Sequence, residues 1–264
     1  MLRSIFGKAL WDQRRSIVAW AVAIALVGIV YAAFYPSMSS PEMAAAMEAF
    51  PPELMAALGM ADVTSPAGYL GSTTYGILGP VLSIIFGTSL GTRAIAGDED
   101  DGLLEVLMAH PVERWSIVLQ RAAAILVALS VAGVALYLAM LAISGPAQLT
   151  DIGPANLAAA TVQLVLLALV FAMLALAVGA LTGKPGLATG SVALVAVATY
   201  FANTLGPTTD YLTWTQKLSP FYYYSGGQPL VNGLQVGDSL VLAGAATALV
   251  VTGIVGFQRR DVGV

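Results

Sequence analysis

Residues 97–121 read "GDEDDGLLEVLMAHPVERWSIVLQR". Four consecutive acids, Asp98, Glu99, Asp100 and Asp101, stand before a short run containing Leu103, Leu104, Val106, Leu107 and Met108. Acids in such a place cap a helix and complement its positive end. Gly97 and Gly102 permit sharp turns on either side of them. His110 ends one helix just before Pro111, which suits the first position of the next. The pattern predicts a stiff, charged elbow with a greasy face. A plain inter-helix loop that avoids the bilayer would use the same residues, so the flanking sequence has to decide.

The flanks are almost free of charge. Of 264 residues, 58% are hydrophobic and only 10% are charged. A soluble domain averages roughly 45–50% apolar and about 25% charged. So few charges cannot cover a globular surface in water, and the mean hydropathy of +0.83 agrees. There is no cysteine, which removes disulfides, thiol nucleophiles and thiolate metal sites. One histidine, His110, leaves little for a metal cluster. The eleven basic residues are scattered, so no nucleic-acid partner is expected.

Six windows lack Asp, Glu, Lys and Arg: 16–41, 63–92, 122–150, 152–183, 185–209 and 239–258. Each exceeds or approaches the roughly 20 residues a spanning helix needs. Turn residues trim them to helices near 16–35, 71–93, 118–143, 157–182, 187–206 and 238–258. None alternates as a barrel strand would. The first apolar core runs from Ile17 to Phe34, longer than a signal-peptide core, and is expected to be retained.

With the N-terminus inside, ten of the eleven basic residues are cytoplasmic and only Lys217 is outside. Both termini and the elbow are therefore expected on the cytoplasmic side. In residues 1–15, Leu2, Ile5, Phe6, Ala9 and Leu10 recur at helical spacing. This fits an amphipathic helix in the headgroup plane, or an ordinary basic flank. The outer stretch "KLSPFYYYSGGQPL" (217–230), with Trp214 nearby, suits an interfacial aromatic belt, or else a substrate gate. In the second helix Gly79, Ser83, Gly87 and Gly91 recur every four residues, a stripe that lets another helix approach closely.

Catalytic motifs are missing. "VGALTGKPG" (178–186) imitates a phosphate-binding loop, but Val178 occupies the first glycine position and Pro185 the Ser/Thr position. No nucleophile elbow occurs, and His110 has no nucleophile motif beside it. The chain is expected to be no enzyme and to bind no cofactor or metal. The spans hold no central ionisable residue, which disfavours a proton- or sodium-driven transporter. Arg121, the nearest, is read as snorkelling. Gln163 and Asn203 suit helix–helix bonds as well as substrate contacts.

The elbow resembles the G-E-E-x-G-T-L-E-x-L-L-x-x-P-x-x-R pattern of ABC-2-type permeases, the membrane subunits of ABC exporters. Gly97, Glu99, Gly102, Leu104, Glu105, Leu107, Pro111 and Arg114 match in order, while Asp98 stands at the first acid and Leu103 replaces the Thr. The resemblance implies an all-α membrane protein forming one transmembrane domain over 1–264. It would have an amphipathic N-terminal connecting helix (1–15), six transmembrane helices (16–258) and a cytoplasmic tail (259–264). A cytoplasmic coupling helix would lie between helices 2 and 3. Glu99, Asp100, Asp101, Leu103, Leu104, Glu105, Leu107 and Met108 would dock in a groove on a separate ATPase, which carries ATP and Mg, with the acids meeting basic groups around that groove. A second permease subunit would complete the path in a bacterial plasma membrane. The charge-free spans favour a lipophilic or amphipathic cargo: drug, antibiotic, lipid or peptide. A secondary transporter, and a membrane sensor or immunity component on the same fold, remain as alternatives.

Overall fold

The computed structural model describes residues 4–40, 42, 62, 64–108, 112–206 and 213–260. These residues are all-helical, with six helices long and apolar enough to cross a membrane. The six are α1 (Ile5–Met38), α2 (Pro66–Asp100), α4 (Arg114–Ser144), α5 (Pro154–Thr182), α6 (Pro185–Leu205) and α10 (Val236–Arg259). The elbow helix α3 covers Leu103–Met108. Three short helices, α7 (Thr213–Gln216), α8 (Pro220–Ser225) and α9 (Pro229–Asn232), fill the connection before α10.

α1 differs from expectation. The Ser4 hydroxyl accepts the Gly7 N–H, and one helix then runs unbroken for 34 residues. At about 1.5 Å per residue it outreaches the roughly 30 Å hydrocarbon core. Among the described residues the first turns are continuous with the span rather than a separate helix, and no Gly or Pro interrupts Leu10 to Ile17. The apolar positions of the first turns also lie in register with the buried stripe of the span, Ala9, Ile17, Ala21, Ile24, Gly28, Ala32 and Tyr35. That stripe packs along α4. The Phe6 N–H reaches Gln120 Oε1 at 3.1 Å, and a Cβ on Gly28 would sit 2.7 Å from Leu136.

α5 is the axis of the bundle. In its most apolar window 67% of residues are buried, against 11% in α6 and 22% in α10. Pro154 opens it and Gly183, in the left-handed region at φ 68°, closes it. The stripe of α2 lies against it. A Cβ on Gly87 would meet Ala168 O at 3.0 Å, and one on Gly91 would meet Ala172 O at 2.2 Å. Ser83 is buried in the same stripe, and a Cβ on Gly79 would lie 3.3 Å from Leu164. Two π-helical turns, Thr74–Leu78 and Arg93–Gly97, bracket this α-helical stretch and set which way it faces. A Cβ on Gly76 would sit 2.4 Å from Gly71 O inside the first π turn.

At the end of the bundle away from the elbow, the 217–230 aromatics divide. Phe221 and Tyr224 are buried in the bundle, whereas Trp214 is exposed and Tyr222 and Tyr223 are intermediate. Phe221 packs on Phe171 and Tyr200, and Tyr224 donates its hydroxyl hydrogen to Tyr75 O. Only part of the stretch is therefore free to form an interfacial belt. Asn203 uses its backbone carbonyl to accept a hydrogen bond from Gln216 Nε2 at 3.0 Å, and the buried Gln163 Oε1 has no partner among the described residues.

Substituting Gly91→Ala should force α2 and α5 apart and cost about 1–3 kcal/mol, because the new methyl meets backbone. Gly190→Ala, inside α6 where no described atom lies within 4 Å, should leave stability unchanged or raise it by up to about 1 kcal/mol. Unfolding midpoints in detergent compare the two, and equal midpoints would refute the close-packed stripe.

Candidate functional site

The elbow begins where α2 ends. Asp101 and Gly102 donate their N–H groups to Gly97 O and Glu99 O, and Gly102 takes φ 70°, a conformation that glycine adopts freely. α3 then turns Leu104 inward, at 1% exposure, and Leu103 outward, at 53%. Leu107 and Met108 pack half-buried against the core. The outward face is therefore Asp100, Asp101, Leu103 and Glu105, all exposed. The side chain of Val106, and His110 and Pro111, lie outside the described residues.

Asp98 and Glu99 do not share that outward face. Asp98 pairs with Arg121 on α4, and Glu99 pairs with Arg260 at the end of α10. Both arginines lie deep, their side chains 13% and 17% exposed. Arg121 is thus an ion-pair partner rather than a snorkelling residue. Its Nε is buried without a partner among the described residues, beside a void of about 10 Å³ that Gln13 also lines. That is about the size of one water.

Arg260 serves two ends at once. Its guanidinium also points at Gly179 O (3.4 Å) and Ala180 O (3.2 Å), the last carbonyls of α5. Arg114 repeats the device one helix over. It donates to Phe257 O (3.2 Å) and Arg260 O (2.7 Å) at the end of α10, with its charge 5.7 Å from the Phe257 ring centroid. Cations belong at helix C-termini, where unpaired carbonyls and the dipole are negative. The cluster ties α2, α4, α5 and α10 together beneath the elbow. A swing of the elbow on its own would have to break these contacts.

A second feature is an apolar cleft of about 380 Å³ between α2 and α6. Ile77, Pro80, Ile84, Val197, Tyr200 and Phe201 line it, with hardly a polar atom. Its lining is apolar and, among the described residues, carries no charged side chain.

The sequence singled out the elbow but not its anchors. Arg260 lies 161 residues from Glu99, and no local pattern joins them. Arg114 stood in the motif without a role, and capping the far end of α10 gives it one.

The chain matches, over residues 2–258, the family described as multidrug efflux system permease Rv1217c, C-terminal domain. It belongs to that family, and its six apolar helices make it a multi-pass membrane permease of the multidrug-efflux class. No curated protein sequence matches it.

Glu99→Gln and Arg260→Gln should each destabilise the protein in detergent, Arg260→Gln the more, since it also takes a donor from Ala180 O, whereas Gly179 O keeps the Gly183 N–H. The double variant should cost about 1 kcal/mol less than the sum of the singles, the coupling of a shared pair. Strict additivity in the midpoints would contradict the pairing.

Proposed function

We propose that this chain is the transmembrane subunit of an ATP-driven ABC exporter of the ABC-2 type in a bacterial plasma membrane. Both termini and the elbow face the cytoplasm. A separate ATPase subunit docks on the elbow and carries ATP and Mg, while this chain contributes no catalytic, cofactor or metal site. A second permease, identical or homologous, completes the translocation path. α6 is the least buried span and leaves room for such a neighbour.

One observation carries the reading. An exposed leucine amid three acids, Leu103 beside Asp100, Asp101 and Glu105, is displayed on an elbow at the end of α2 that ion pairs tie to α4 and α10 and that Arg260 links to the α5 carbonyls. A braced surface of that kind suits the transmission of force from a partner. Apolar anchors supply most docking energy, and the acids favour a basic rim. The efflux family supports export. The apolar cleft between α2 and α6 supports a lipophilic or amphipathic cargo such as a drug, antibiotic, lipid or peptide.

The test is purification in mild detergent with an ATPase assay on the eluate. The wild type should bring down a P-loop subunit. Leu103→Glu should weaken that association about tenfold or more, the loss of one central hot-spot contact, without moving the unfolding midpoint of the permease. Leu104 is unsuitable for the test because it is core. A wild-type chain that never carries an ATPase would overturn the reading and favour a secondary transporter or a sensor.

A further inference from the structure

Near the elbow end, α5 and α10 part to leave a trough of about 470 Å³. Its walls are Leu181, Val251 and Val255, all exposed, and Gly256 forms its floor. Two glycines bring the helices this close. A Cβ on Gly253 would lie 3.3 Å from Ala177 Cα, and one on Gly256 would lie 2.4 Å from Leu181 Cδ2. The trough is mainly apolar, and at its end stand Arg259 and Arg260.

The two arginines are not equivalent. Arg260 is committed to Glu99 and to the α5 carbonyls. Arg259 is exposed and, among the described residues, its side chain has no ion pair and no hydrogen bond. No acid among the described residues lines the trough. Among the described residues, then, a cation without a partner stands over an apolar channel at the end of a membrane-spanning helix.

We propose that this trough seats one anionic glycerophospholipid, with its phosphate on Arg259 and an acyl chain along Leu181, Val251 and Val255. Any bilayer lipid can lay a chain in an apolar groove, so the chain alone selects nothing. Selection comes from the headgroup. A zwitterionic lipid brings its own cation beside Arg259, whereas an anionic one brings net negative charge, and each basic residue near the surface favours it. A second copy of the chain is the poorer occupant. A two-fold contact centred on this face would set Arg259 against its own counterpart, and like charges repel. The inference needs only a membrane-embedded chain and is independent of ATP coupling.

Native mass spectrometry of the full chain, with any subunits that accompany it, tests this against phosphatidylglycerol and phosphatidylcholine. The wild type should retain phosphatidylglycerol in preference. Arg259→Gln should lower phosphatidylglycerol binding about fivefold, the factor for one basic residue, and leave phosphatidylcholine unchanged. Arg259→Lys should keep the preference, which separates charge from misfolding, and Val255→Trp should exclude both lipids from the trough. Equal retention of the two lipids by the wild type would overturn the proposal. So would an undiminished preference in Arg259→Gln, or a disulfide joining two copies through Val255→Cys.

Discussion

The close approach of α2 to α5 sets the positions of the other spans. Lipid tails are as apolar as leucine, so burying apolar side chains gives helices in a bilayer little reason to associate. What remains is van der Waals contact, and that depends on how near two backbones come. Gly87 and Gly91 let α2 reach the carbonyls of Ala168 and Ala172. On the same axis Gly253 lets α10 reach Ala177. α5 is thus gripped on two sides by helices that have lost side chains where they touch it. α1 and α4 pack alongside, and α6 stays largely uncovered.

Such an arrangement concentrates polar chemistry at the ends. α5 and α10 stop near the elbow with their last carbonyls short of partners, and Arg260 and Arg114 supply them. Because Arg260 also holds Glu99, the termination of two helices and the anchoring of the elbow are one structure. The acids then separate by role. Asp98 and Glu99 brace, whereas Asp100, Asp101 and Glu105 surround Leu103 on the outside. A surface fixed to α2, α4, α5 and α10 moves only with those helices, which makes it suited to passing a partner's motion into the membrane.

Much of this was legible in the sequence. The six spans followed from charge-free runs, and their ends fell within a few residues where proline or glycine marked them, as Pro154 and Gly183 do for α5. The glycine stripe was visible because its period of four is local. Long-range features were not. The spacing of Ile5, Phe6 and Ala9 fits a headgroup surface and a neighbouring helix equally well, and only the contact with Gln120, 114 residues away, shows which. The π turns of α2 leave no mark beyond Gly76, so the facing of its stripe could not be foreseen. The four acids looked alike as a run. Their division depended on Arg121 and Arg260, which sequence distance hides.

Photo-crosslinking from position 103 in intact membranes tests whether Leu103 touches an ATPase. The chain has no cysteine, so Leu103→Cys carries a single label. An adduct with a P-loop ATPase is expected from position 103, and none from Thr247→Cys, an exposed position on α10. A Leu103 label that captures only lipid or water, or an ATPase adduct formed equally from position 247, would contradict that contact.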